Sequence, residues 1–122
     1  TVTGNRTPLA PVVMSTTSVG GGANAYKPGV TGGRGVNNVS LLVSVYGRVT
    51  ATGWTYFYLD DGCARFDGSG LTGLKVITDQ LTPPAQGSLV RVTGISSVEQ
   101  PPRTSVTIPV IRARQQSDIK VF

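Results

Sequence analysis

The sequence predicts an all-β chain, a small five-stranded barrel with an extended N-terminal arm. Val, Thr, Gly and Ser outweigh the Ala, Leu, Glu and Lys that coat helices, and β-branched residues suit the pleated surface of a sheet. Short alternating apolar runs recur between Gly, Pro and Asp-Gly punctuation, as strands do. A chain of 122 residues suffices for one modest core and not for two.

The organising stretch is 41–62, LLVSVYGRVTATGWTYFYLDDG. Leu41, Val43 and Val45 alternate with Leu42, Ser44 and Tyr46 in one long strand. Gly47 interrupts it before Arg48-Val49-Thr50 resumes, which marks a bend. After a turn at Thr52-Gly53, Trp54 to Leu59 form a second strand closed by Asp60-Asp61-Gly62. Phe57 and Leu59 then share one face, and Tyr56 and Tyr58 the outer one.

The loop 63–73 leads to a third strand at 73–77, with Leu74 and Val76 on one face. Pro83-Pro84 limits 78–87 to a single helical turn around Asp79-Gln80-Leu81. Ser88 to Ile95 is the fourth strand and Val106 to Arg112 the fifth, where Pro109 argues for an edge or a bulge. Asp118 to Phe122 is a short apolar terminal strand.

Residues 1–39 form the arm and 40–122 the barrel. The arm holds one apolar stretch, Leu9 to Met14, broken by Pro11, then a segment too glycine-rich for a regular element of its own. Order in it must come from packing, either along its own barrel or on a neighbouring copy.

Catalysis is disfavoured. The chain has no histidine, so neither a Ser-His nor a Cys-His pair can form. Asp60 and Asp61 point to opposite sides of a strand end, and the turn at Gly62 accounts for them. With Asp67 they fit no calcium loop. Gly68 to Gly73 matches G-x-G-x-x-G but leads into a strand where a dinucleotide site needs a helix. The lone Cys63 excludes an internal disulfide or thiolate cluster. No metal, no cofactor and no enzymatic activity are expected.

A net charge of +5 and a pI near 9.9 permit a polyanionic partner without demanding one. No run of ~18 apolar residues is present, so no helical membrane span is expected. The chain opens on Thr1, which reads as a mature protein and favours an extracellular place. Asn5-Arg6-Thr7 and Asn38-Val39-Ser40 match the N-glycosylation pattern.

Val45-Tyr46-Gly47-Arg48-Val49, Phe57 to Gly62 and Val90-Arg91-Val92-Thr93-Gly94-Ile95, in five strands with a gap between the third and fourth, resemble the OB-fold. That family is a small Greek-key barrel binding oligonucleotides and oligosaccharides. The resemblance covers 40–114; the arm and the proline pair depart from it.

Two functions follow. In the first, the chain is a structural subunit of an extracellular filament. Its arm (Leu9, Val12, Val13, Met14, Val19) adds to a sheet edge of the next copy, as in donor-strand fibres. Deleting 1–19 should then abolish assembly and leave a folded barrel. In the second, implied by the resemblance, it binds single-stranded nucleic acid or glycan. Trp54, Tyr56 and Tyr58 would be stacking platforms, with Arg48, Arg65, Lys75 and Arg91 as neighbouring cations. The filament, with copies of itself as partner, accounts for the arm and takes precedence.

Overall fold

The computed structural model describes residues 11–22, 29–30, 37–63, 70–102 and 106–122. Leu9 and Arg65 lie outside them, as do Asn5 and Asp67. Among these residues seven strands form one mixed sheet: β1 (Val12–Val13), β2 (Leu42–Thr52), β3 (Tyr56–Asp60), β4 (Leu74–Ile77), β5 (Leu89–Glu99), β6 (Ile108–Arg112) and β7 (Ile119–Val121). The order β1-β2-β3-β4-β6-β5-β7, with β2 also pairing β5, closes five strands into a ring. Every contact within the ring is antiparallel except β4 with β6.

The long strand β2 serves two neighbours. Leu42 to Arg48 pair with β5, and Arg48 to Thr52 pair with β3. The register shifts between Val49 and Ala51, so the bulge sits at Thr50 rather than at Gly47. Gly47 has a different task. A Cβ there would run into the backbone of Asp60, so only glycine lets the corner of β3 close over β2.

Alternation then builds the core. Val43, Val45, Val49, Phe57, Leu59, Leu74, Val76, Val90, Val92 and Ile111 fill the ring, each at most 1% exposed. A second cluster of Ile77, Ile108 and Val110 lies apart from it. The strand β6 is therefore buried on both faces and sits between β4 and β5, which corrects the expectation that Pro109 marks an edge strand. The local reason survives: β4 pairing begins only at Val110, so no β4 partner stands opposite the missing N–H of Pro109.

The described part of the arm packs on the ring of the same chain. Val12 and Val13 run parallel to β2 opposite Val43 and Ser44, and the Met14 amide donates to the Ser44 carbonyl at 3.1 Å. Val19, 1% exposed, enters the main core, with Met14 packed against it. Thr16 fastens the arm to the end of β3: its amide donates to Asp61 Oδ2 at 2.8 Å and its hydroxyl to Oδ1 at 2.9 Å. Asn38 fastens the return. Its Oδ1 accepts from the Gly20 amide and the Ser96 hydroxyl, and its Nδ2 donates to the Ser18 carbonyl, each at 2.7 Å.

Candidate functional site

The residues expected to share one binding face are divided by the fold. Trp54 stands in the β2–β3 turn, 95% exposed. The turn holds its shape because the Gly53 amide donates to the Tyr56 carbonyl at 2.8 Å, and a Cβ at Gly53 would strike the Tyr56 ring. Tyr56 is half-buried and meets Tyr58 edge-on, with centroids 6.0 Å apart. Tyr58 lies on the predicted side of β3 but is only 3% exposed. It is closed off, so its expected role as a stacking platform is corrected.

Lys75, opposite Tyr58 on β4, is not a free cation. Its Nζ lies 2.7 Å from Glu99 Oε1 and 5.2 Å from the Tyr56 ring centre. Arg48 and Arg91 belong to a different face, in register with Leu89 and Tyr46 of the β2–β5 pair. The set Trp54, Tyr56, Lys75 and Glu99 is thus aromatic and charge-balanced. No predicted Arg among the described residues stands with it.

The connection from β4 to β5 opens a groove of about 630 Å³, walled by Thr55, the residue after Trp54, and by Asp79, Gln80, Leu81 and Arg114. Its shape follows from the chain's exit from β4. The amides of Thr78 and Asp79 both donate to the Thr55 carbonyl, at 2.8 and 3.2 Å, which forces a tight turn. Asp79 takes φ of 51°, the left-handed region that a short polar side chain tolerates. Pro83-Pro84 then prevents a helix from filling the space. The Thr78 hydroxyl, buried at the groove's base, has no hydrogen-bond partner. A second, smaller depression lies against Trp54 itself, between Thr52, Gly53 and Pro83.

The groove wall is braced. Asp118 grips Arg114 in a fork, Nε to Oδ2 and Nη2 to Oδ1 at 3.0 Å each, and also accepts the Arg114 amide at 2.9 Å. Burial alone would raise the Asp118 carboxyl, but the Arg114 bonds outweigh it and hold the group below its usual range. The same pairing raises Arg114. Gln116 clamps Thr82 through both ends of its amide, at 2.9 and 3.1 Å.

Around Asp61 the chemistry is structural. Burial pushes its carboxyl up, and the Thr16 and Cys63 hydrogen bonds bring it below the ordinary value. Cys63 is exposed, and its hydrogen bond to Asp61 raises the thiol, making it a poor nucleophile. Asp60 Oδ1 accepts the Gly62 amide at 3.2 Å, the turn role expected of it.

Of the arm residues, Val12 and Val13 are exposed on β1, whereas Met14 and Val19 are packed into the chain's own barrel. Sequence reasoning passed over Asp79, Gln80 and Arg114. They are remote in sequence and ordinary in type, and only the ring brings 55, 79 and 114 together. The left-handed turn carried no glycine to announce it. No protein-family model matches the chain, and neither does any curated protein.

Proposed function

We propose that the chain is a non-catalytic, extracellular binding module of OB type whose ligand is a neutral glycan held on Trp54 and in the adjoining groove. The ring order β2-β3-β4-β6-β5, with its one parallel contact, supports the Greek-key OB reading. Function has to be argued from the site rather than the fold. The observation that carries it is a fully exposed indole one residue before Thr55, which walls a braced groove rich in hydrogen-bonding groups. An indole offers a broad apolar face to a sugar ring, while Asp79, Gln80, Thr55 and Arg114 supply donors and acceptors for hydroxyls. The volume lies within the range of small-ligand sites. Charge favours a neutral ligand over a nucleic acid, because Glu99 balances Lys75 and Asp118 balances Arg114.

Trp54 is the chain's only tryptophan, so its emission reports on the site alone. Titration with a panel of neutral oligosaccharides should shift or quench that emission saturably. Trp54→Ala should lose binding measured by calorimetry, and Gln80→Ala should weaken it. An emission spectrum indifferent to every oligosaccharide, or a Trp54→Ala protein that binds as well as the parent, removes the proposal.

The filament remains a second proposal, favoured by the brevity of β1. A two-residue parallel pairing with both valines exposed could be made as well by the arm of another copy. Electron microscopy of the isolated protein should then show filaments, and these should vanish when 1–13 are removed, a cut that spares Val19. A monomer mass at every concentration refutes it.

A further inference from the structure

The outer face of β2, β5 and β7 carries chemistry that the groove does not use. Register lays two rows across it. Tyr46, Arg91 and Lys120 stand side by side in one. Arg48 and Leu89 stand in the next, and the Phe122 amide donates to the Leu89 carbonyl at 2.9 Å. Tyr46, 45% exposed, and Phe122, 62% exposed, are joined by Leu89, about half exposed. Three large apolar side chains in one corner of a small domain form a patch of the kind that marks an interaction surface.

The patch is framed by cations. Arg48, Arg91 and Lys120 form no ion pair with a carboxylate among the described residues. The nearest carboxylate in register, Asp60 opposite Arg48, directs Oδ1 to the Gly62 amide. Arg48 Nη1 donates to the Gly87 carbonyl at 2.9 Å. Arg91 Nε is buried without a partner.

Two polyanions could answer such a face, and the rings decide between them. Tyr46 and Phe122 reach across β5 and stack on one another, 6.4 Å between centroids and 19° between planes. Lys120 Nζ lies 5.4 Å from the Phe122 ring centre. Single-strand binding needs free ring faces for bases, and here Phe122 is already engaged by Tyr46 and Lys120. Leu89 has no part in base stacking either. An anionic lipid surface uses every group present: rings and aliphatic side chains at the headgroup boundary, and Arg and Lys against the headgroups.

We propose that this face docks reversibly on an anionic lipid surface. The test is flotation of the whole chain with phosphatidylcholine vesicles prepared with and without phosphatidylserine. Binding should require phosphatidylserine and weaken as salt is raised. Lys120→Gln and Arg48→Gln should each weaken it about fivefold, the ratio that corresponds to ~1 kcal/mol per surface cation. Tyr46→Ser with Phe122→Ser should weaken it further at fixed salt, while Trp54→Ala leaves it unchanged. Four outcomes overturn the proposal: no phosphatidylserine dependence, indifference to the two charge substitutions, binding of a thymidine oligonucleotide in preference to the vesicles, or a dimer that covers the face.

Discussion

Asn38 and Asp61 show how single side chains hold the arm. Asn38 is 7% exposed, and its amide makes three hydrogen bonds to Ser18, Gly20 and Ser96. Asn38→Ala would leave buried donors unpaired at a cost of about 2–4 kcal/mol, measurable by urea unfolding. The same burial closes its glycosylation pattern: expressed in a glycosylating host, the protein should carry no glycan at Asn38, as intact mass would show. Asp61 makes the arm sensitive to acid. Its folded carboxyl is held below the ordinary value, so its contribution is complete above the unfolded pKa of about 3.9 and is lost as pH falls through the folded value. Melting temperature should therefore drop below about pH 4. Asp61→Asn should cost about 1–2 kcal/mol at neutral pH and flatten that drop, leaving the part due to Asp118, whose shift has the same sign. An unchanged acid profile in Asp61→Asn would locate the sensitivity elsewhere.

Among the elements, β2 and the arm carry the sharpest tests. Gly47→Ala places a methyl group against the Asp60 backbone, and should destabilise the barrel by about 1–3 kcal/mol in chemical denaturation. Removing 1–19 takes Val19 out of the main core. A truncated buried side chain of this kind costs about 2–5 kcal/mol, and the Thr16 bonds to Asp61 go with it. The truncated chain should thus melt well below the parent, contrary to the intact barrel that sequence alone suggested. The long strands of the ring, β2 and β5, were legible because they alternate over many residues, as in Val43, Val45 and Val49 or Val90 and Val92, and the short ones because apolar β-formers run between turn residues. Strand β1 was not, since two valines carry no period, and their partner is set by where the arm lies. The bulge at Thr50 was equally silent: Gly47 drew the bend to itself, although its actual requirement is the closeness of Asp60.

At the scale of the whole molecule, the ring is continuous and β1 is an addition to it. Hydrogen exchange should reflect this. Amides of β2 and β5, bonded in the centre of the ring, should exchange only on global unfolding, and the Met14 amide should exchange through local opening of β1. Equal protection of the two would mean that arm and ring unfold together. Charge is distributed at this scale as well. Of the cations expected beside the β3 aromatics, Lys75 lies by Tyr56 but is paired with Glu99, whereas Arg48 and Arg91 stand on the β2–β5 face, so the domain presents a groove without a free cation among its described lining residues at one place and a cationic, apolar face at another.

The sequence by itself determined the all-β class, the main strands of the ring and their inward faces, and the want of a histidine-based catalytic centre. These depend on period, composition and turn residues, which act over a few positions along the chain. Only the tertiary structure decided that Tyr58 is closed off, that Lys75 is balanced by Glu99, that Thr55, Asp79 and Arg114 wall one groove, and that Tyr46 stacks on Phe122. Each of these joins residues from different strands, and such meetings are set by sheet order and register, which no local pattern encodes.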